Sequence, residues 1–147
     1  MGAADVKKVL LVEDDPLDVT LIRRALSRTN FGFELRVLDD GEQAINFARQ
    51  HVAGSWTPDL VLLDLNLPRR LGGEVLEVLK AHPKLRLVPV VVLTSSDANS
   101  DVLNAYSSGA SSYVRKPFSI DSIDDLVRTL QHYWFDLVIL PSRAERL

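Results

Sequence analysis

Two rhythms of apolar residues alternate along this chain. Short unbroken runs, Val9-Leu10-Leu11-Val12, Leu60-Val61-Leu62-Leu63 and Val90-Val91-Val92-Leu93, predict strands buried on both faces. Between them apolar residues recur every three or four positions, the spacing of amphipathic helices. Asp15 followed by Pro16 predicts an N-cap and first helical position, for a helix to about Arg28 with Val19, Ile22, Ala25 and Leu26 on one side. Phe33 to Leu38 alternates as a second strand, and Asp39-Asp40-Gly41 is a turn. A helix to about His51 then buries Ala44, Ile45, Phe47 and Ala48. Further helices are predicted over Gly73 to about Ala81, Ser100 to about Ser107, and Ile120 to Trp134, the last with Ser119 or Asp121 near its cap. Ser112 to Val114 is a short fifth strand.

The result is a strand–helix unit repeated five times. Apolar strands each followed by a helix predict an α/β fold with a parallel sheet covered on both faces. The expected architecture is a doubly wound, flavodoxin-like (βα)5 sheet of order 2-1-3-4-5. In such sheets ligands bind beyond the carboxyl ends of the strands, where the strand order reverses.

Those ends are where the polar residues look out of place. The first strand runs into Glu13-Asp14, the third into Asp64, the fourth into Thr94-Ser95, the fifth into Lys116-Pro117. A carboxylate after a buried run is costly unless it has a partner. Two carboxylates roughly 5 Å apart repel by about 3 kcal/mol at an effective dielectric of about 20. The cluster therefore suits a hard divalent cation, and Mg²⁺ combines a few carboxylate oxygens with water and phosphate oxygens. Lys116 offers charge, and Thr94 a hydroxyl, to phosphoryl oxygens. A carboxylate nucleophile flanked in this way is a phosphoryl-acceptor constellation.

Composition narrows the reading further. The 147 residues suit one domain with a sizeable core, and 46% hydrophobic with 25% charged residues is an ordinary balance. A net charge of −3 argues against nucleic acid as a general partner. With no cysteine, disulfides and thiolate metal sites are excluded, and the scattered His51, His82 and His132 are expected at the surface or at helix ends. The start MGAADVKK has no apolar core for a signal peptide, Val6 breaks the myristoylation pattern, and no run approaches a membrane span. A cytoplasmic protein is expected.

In order, Lys8–Asp15, Asp64-Leu65-Asn66-Leu67-Pro68, Leu93-Thr94-Ser95 and Gly109–Phe118 resemble the receiver domain of two-component response regulators, the CheY-like family, over residues 7–134. The resemblance implies a phosphoacceptor rather than an enzyme, with autodephosphorylation at most. Asp64 would take a phosphoryl group from a phosphohistidine on a sensor histidine kinase. Mg²⁺ would be held by Asp14, Asp64 and the backbone carbonyl of Asn66, with Glu13 acting through a bound water. Lys116 and Thr94 would hold the phosphoryl oxygens, and Tyr113 would swing inward behind Thr94. The family's cis peptide bond would fall at Lys116-Pro117. Asn66 and Ser96 stand where the family tunes phosphoryl lifetime.

A narrower resemblance, through Val19–Leu26, Asp39-Asp40-Gly41-Glu42 and His132-Tyr133-Trp134-Phe135, is to single-domain regulators that partner phytochromes. It implies a bacteriophytochrome as the kinase. It also implies a homodimer through the fourth helix, fifth strand and fifth helix. Leu71, where many receivers carry an acidic or polar residue, departs from the pattern.

Residues 135–147 are expected as a C-terminal extension, too short for a DNA-binding module. Its apolar Phe135, Leu137, Val138, Ile139 and Leu140 either fold back on the domain or, as expected here, join the dimer contact. Three rivals weigh less. A haloacid-dehalogenase-like phosphatase wants a second Asp where Asn66 stands. A flavodoxin wants a glycine- and hydroxyl-rich phosphate cradle where Glu13-Asp14-Asp15-Pro16 stands. A degenerate receiver, kept only for docking, would lack Asp64 or Lys116.

Overall fold

A computed structural model describes residues 6–144, so the readings of the extreme termini lie outside the described residues. Five parallel strands, β1 (Lys7–Val12), β2 (Phe33–Leu38), β3 (Leu60–Leu63), β4 (Val90–Thr94) and β5 (Ser112–Arg115), form one sheet. Their order is β2-β1-β3-β4-β5. Between them run α1 (Pro16–Ser27), α2 (Gly41–Arg49), α3 (Gly72–Ala81) and α4 (Asn99–Ser107). After β5 come α5 (Ile120–Gln131) and a short α6 (Pro141–Ala144).

Side chains alternate across the sheet, so each buried strand serves two cores. Leu10, Val12, Val61, Leu63, Val90 and Val92 pack with Ala44 and Ile45 of α2, Val75, Leu76 and Leu79 of α3, and Ala105 of α4. Val9, Leu11, Leu60, Leu62, Val91 and Leu93 face Ile22, Ala25 and Leu26 of α1 and Val127 of α5. Full burial on both faces explains why β1, β3 and β4 are unbroken apolar runs. The edge strand β2 is half-buried, which is why it alternates.

The expected topology holds, with local differences. β1 begins two residues earlier than its apolar run, because Lys7 and Lys8 register with Phe33 and Glu34 of β2. β4 and β5 each gain a residue, Thr94 and Arg115, which register with each other. Asp40 leaves the predicted turn to cap α2, its carboxylate accepting from the Gln43 N–H at 2.7 Å. Ser119, rather than Asp121, caps α5, accepting from the Ser122 N–H.

The regular part of α5 stops at Gln131, short of Trp134. From His132 to Leu137 the helix widens into a π turn. It then bends so that Phe135 and Leu140 enter the α1–α5 core, with Val138 packed against it. The apolar tail thus divides. Phe135 and Leu140 belong to the chain's own core, while Tyr133, Leu137 and Ile139 stay exposed. Ser142 fixes the far end by donating to Asp59 Oδ1, while Asp59 Oδ2 accepts from the Lys8 N–H at 2.8 Å. No helix among the described residues is long and apolar enough to cross a membrane.

Candidate functional site

The strand order reverses beside β1, because β2 lies on one side of it and β3 on the other. The ends of β1 and β3 are therefore neighbours. The Asp64 N–H donates to Val12 O at 3.0 Å, and the Glu13 N–H donates to Leu38 O at 3.0 Å. This ladder holds Glu13, Asp14 and Asp64 in place, with one carboxylate oxygen from each lying within 4.8 Å of the others. Glu13 is 1% exposed and Asp64 5%, while Asp14 is open to solvent. At that spacing a pair of carboxylates repels by about 3.5 kcal/mol at an effective dielectric of about 20.

A single cation offsets this repulsion. Lys116 Nζ lies 2.6 Å from Glu13 Oε1, 2.8 Å from Asp18 Oδ2 and 3.0 Å from Asp64 Oδ2. Its three protons meet three carboxylates. The backbone delivers it there, since the Lys116 N–H donates to Thr94 O at 2.7 Å. Burial works against the ammonium, yet hydrogen bonds to Asp18, Glu13 and Asp64 push its pKa above the ordinary lysine range. For Glu13 burial wins the other way. It pushes the carboxyl up to about 7, against the pull of the Lys116 hydrogen bond and with help from the Asp64 charge.

The Asp64 carboxylate is held at both oxygens. Asp64 Oδ1 accepts from the Asn66 N–H at 3.1 Å, and Oδ2 accepts from Lys116. Behind it the chain turns sharply so that the Gly72 N–H reaches Leu65 O at 3.0 Å. A β-carbon on Gly72 would lie 2.4 Å from Asp64 O and 2.6 Å from Leu65 Cα, so only glycine fits there. Leu71, the departure noted in the sequence, precedes α3 without a side-chain cap and is 60% exposed.

Thr94 completes the ring of strand ends. Its side chain is fully buried and its hydroxyl has no hydrogen-bond partner. An orphaned buried hydroxyl costs about 1–3 kcal/mol, and it fits a site that receives an oxygen-rich group. The loop after Thr94 is clasped. Tyr113 Oη donates to Ser96 O at 2.8 Å, and Ser96 Oγ bonds Asp101 Oδ2 at 2.6 Å. Tyr113 packs against the α2–α3–α4 core, so the ring lies inward, under the loop.

The structure thus gathers Glu13, Asp14, Asp64, Asn66, Thr94 and Lys116 at one rim, with Tyr113 of β5 hydrogen-bonded to the loop after β4. Two differences stand out. Lys116-Pro117 is trans, as are all peptide bonds among the described residues, against the cis expectation. A trans X–Pro bond is the ordinary preference, and here the lysine reaches all three carboxylates from it. The other is Asp18, which the sequence reading passed over. Its signal was its place in the first turn of α1, three residues past the Asp15 cap and just after the strand end that carries Glu13 and Asp14.

The donor set is all hard oxygen, which fits Mg²⁺-class cations rather than softer metals. None of the three histidines belongs to the cluster.

Comparison with known proteins agrees with this geometry. Residues 9–128 match the response regulator receiver domain family. The chain is 41% identical over 135 residues to a probable methanogenesis regulatory protein, FilR2, of Methanothrix harundinacea, covering 91% of this chain and 87% of that one. It is 37% identical to the response regulator Rcp1 of Synechocystis, covering 92% and 94%. The solved structure of the phosphorylated cyanobacterial phytochrome response regulator RcpA superposes with a TM-score of 0.86 at 36% identity, covering 92% of this chain and 98% of that one. That of Mn(2+)-bound Rcp1 superposes with a TM-score of 0.84, covering 92% and 99%. A parallel 2-1-3-4-5 sheet, an acid trio at its reversal point and a lysine spanning it, matched over most of the chain, lead to one assignment: this chain belongs to the response regulator receiver domain family.

Proposed function

We propose that this receiver accepts a phosphoryl group on Asp64 from a phosphohistidine of a sensor histidine kinase, in a Mg²⁺-dependent reaction. The observation that carries the reading is the convergence of three carboxylates, one ammonium and one unpartnered buried hydroxyl. An Asp64 oxygen attacks phosphorus, the P–O bond forms as the P–N bond breaks, and the electron pair leaves with the imidazole, which takes up a proton. Lys116 turns from the carboxylates toward a phosphoryl oxygen, and the Thr94 hydroxyl gains the acceptor it lacks. Asp14, Asp64 and the backbone carbonyl of Asn66 would hold Mg²⁺, with Glu13 reaching it through water. The ion supplies neutralisation of the charge that three clustered carboxylates and a phosphoryl group would otherwise carry.

The test is intact mass after incubation with Mg²⁺ and a small phosphoryl donor. The native chain gains one acid-labile phosphoryl group, and Asp64→Asn gains none. A gain retained in Asp64→Asn would move the acceptor elsewhere. Tyr113 and Thr94 form the switch in this reading. The Tyr113–Ser96 hydrogen bond links the phosphoryl end of β4 to the face made by α4, β5 and α5. Output runs through that face by protein contact.

A bacteriophytochrome is the kinase that fits best, since RcpA is a phytochrome response regulator and a bacteriophytochrome response regulator, RtBRR, is 35% identical to this chain. A homodimer fits the same face. Leu103 and Tyr106 of α4 are exposed beside the edge strand β5, and the tail adds Tyr133, Leu137 and Ile139. Residues 135–144 then act as a C-terminal extension with two sides, one in the domain core and one offered to the second copy. Aspartate at Leu137 and Ile139 should dissociate the dimer in light scattering without unfolding the chain. A dimer that persists unchanged removes the tail from the contact.

A further inference from the structure

The roles above leave one carboxylate at the site unused. Asp18 sits in the first turn of α1, a helix fixed by the Asp15 cap and by Pro16. Its Oδ2 lies 2.8 Å from Lys116 Nζ, across 98 residues of chain. The other two acceptors of that ammonium, Glu13 and Asp64, also belong to the acid trio, and Asp18 does not. A divalent cation drawn into the trio therefore competes with Lys116 for these two carboxylates, directly at Asp64 and through its water shell at Glu13. Asp18 is the carboxylate that competition does not touch.

We propose that Asp18 is a positioning residue that shares Lys116 with the metal site: it holds the ammonium beside Asp64 while a divalent cation engages Asp64 directly and Glu13 through water. Without it, the ammonium has only the cation's own ligands to bind and stays on them. With it, the ammonium yields those carboxylates yet remains poised for the incoming phosphoryl group. The inference rests on the reading of this rim as a divalent-cation site.

Calorimetric titration of the full chain with Mg²⁺ tests it without reference to phosphorylation. Asp18→Asn keeps the shape and removes the charge. It should weaken Mg²⁺ binding about tenfold, the scale of one charge-assisted hydrogen bond. Asp18→Glu should recover most of that loss. The decisive arm is the Lys116→Ala background, with Lys116→Gln in its place if the alanine variant melts below the working temperature. There, Asp18→Asn should change Mg²⁺ affinity less than about twofold, because the group it acts through is gone. An equal loss in both backgrounds would show that Asp18 contributes only charge, and an Asp18→Asn variant that binds like the native chain would overturn the proposal outright. Failure of the native chain to bind millimolar Mg²⁺ would instead remove the cation site itself, and this inference with it.

Discussion

Glu13 makes the stability of this domain depend on pH in a direction opposite to that of most carboxylates. Its pKa rises from 4.5 in the unfolded chain to about 7 in the folded one, chiefly because the side chain is buried. The folded state therefore holds a proton that the unfolded state releases, and stability falls as pH rises. The contribution is fully present below about pH 4.5 and gone above about pH 7. A rise of that size is worth about 3 kcal/mol. The perturbation is Glu13→Gln, which keeps the shape and cannot ionise. Urea denaturation in chelator at pH 5 and pH 8 reads the effect. The native chain should lose about 2.5 kcal/mol more between those two pH values than Glu13→Gln does. Saturating Mg²⁺ should shrink the native difference, because a cation at the trio favours the ionised carboxylate. Equal pH dependence in the two proteins would refute the burial argument.

Three further outcomes follow from particular contacts. Thr94→Val replaces an unpartnered buried hydroxyl with a methyl of similar size, so the melting temperature should hold or rise by the equivalent of about 1 kcal/mol. The same variant should still gain phosphate by intact mass but lose the response at α4–β5–α5, read by amide exchange. Gly72→Ala should cost about 3 kcal/mol in urea and slow phosphorylation, because its β-carbon collides with the backbone of Asp64 and Leu65. Leu140→Ala should cost about 2–5 kcal/mol, since Leu140 is 3% exposed in the α1–α5 core. Full stability in Leu140→Ala would mean that the tail does not rest there in solution.

The strands β1, β3 and β4, which carry most of the site, were legible because they are buried on both faces. Burial of that kind admits almost only apolar residues, so each polar residue at a strand end announced itself. Glu13, Asp64, Thr94 and Lys116 could be placed together because sheet order follows from the repeating strand–helix pattern. Asp18 was not legible in the same way. On a helix with an exposed face, one acidic residue in the first turn is also what the helix dipole favours, and pattern cannot separate the two reasons. The end of α5 was hidden for a related cause. His132 to Leu137 continues a helical pattern, and only packing against α1 shows that the turn widens to bring Phe135 inward. The tail looked uniformly apolar, and its division into buried Phe135 and Leu140 and exposed Leu137 and Ile139 depends on that turn.

Asp59 receives the Lys8 amide on one oxygen and the Ser142 hydroxyl on the other. This joint lies at the amino ends of the strands, while the acid trio lies at the carboxyl ends of β1 and β3. A six-residue strand spans roughly 20 Å. A fluorophore pair straddling this joint would therefore report the tail's detachment without touching the chemistry. It would report whether the tail stays seated or lifts away, independently of any change at the acid trio.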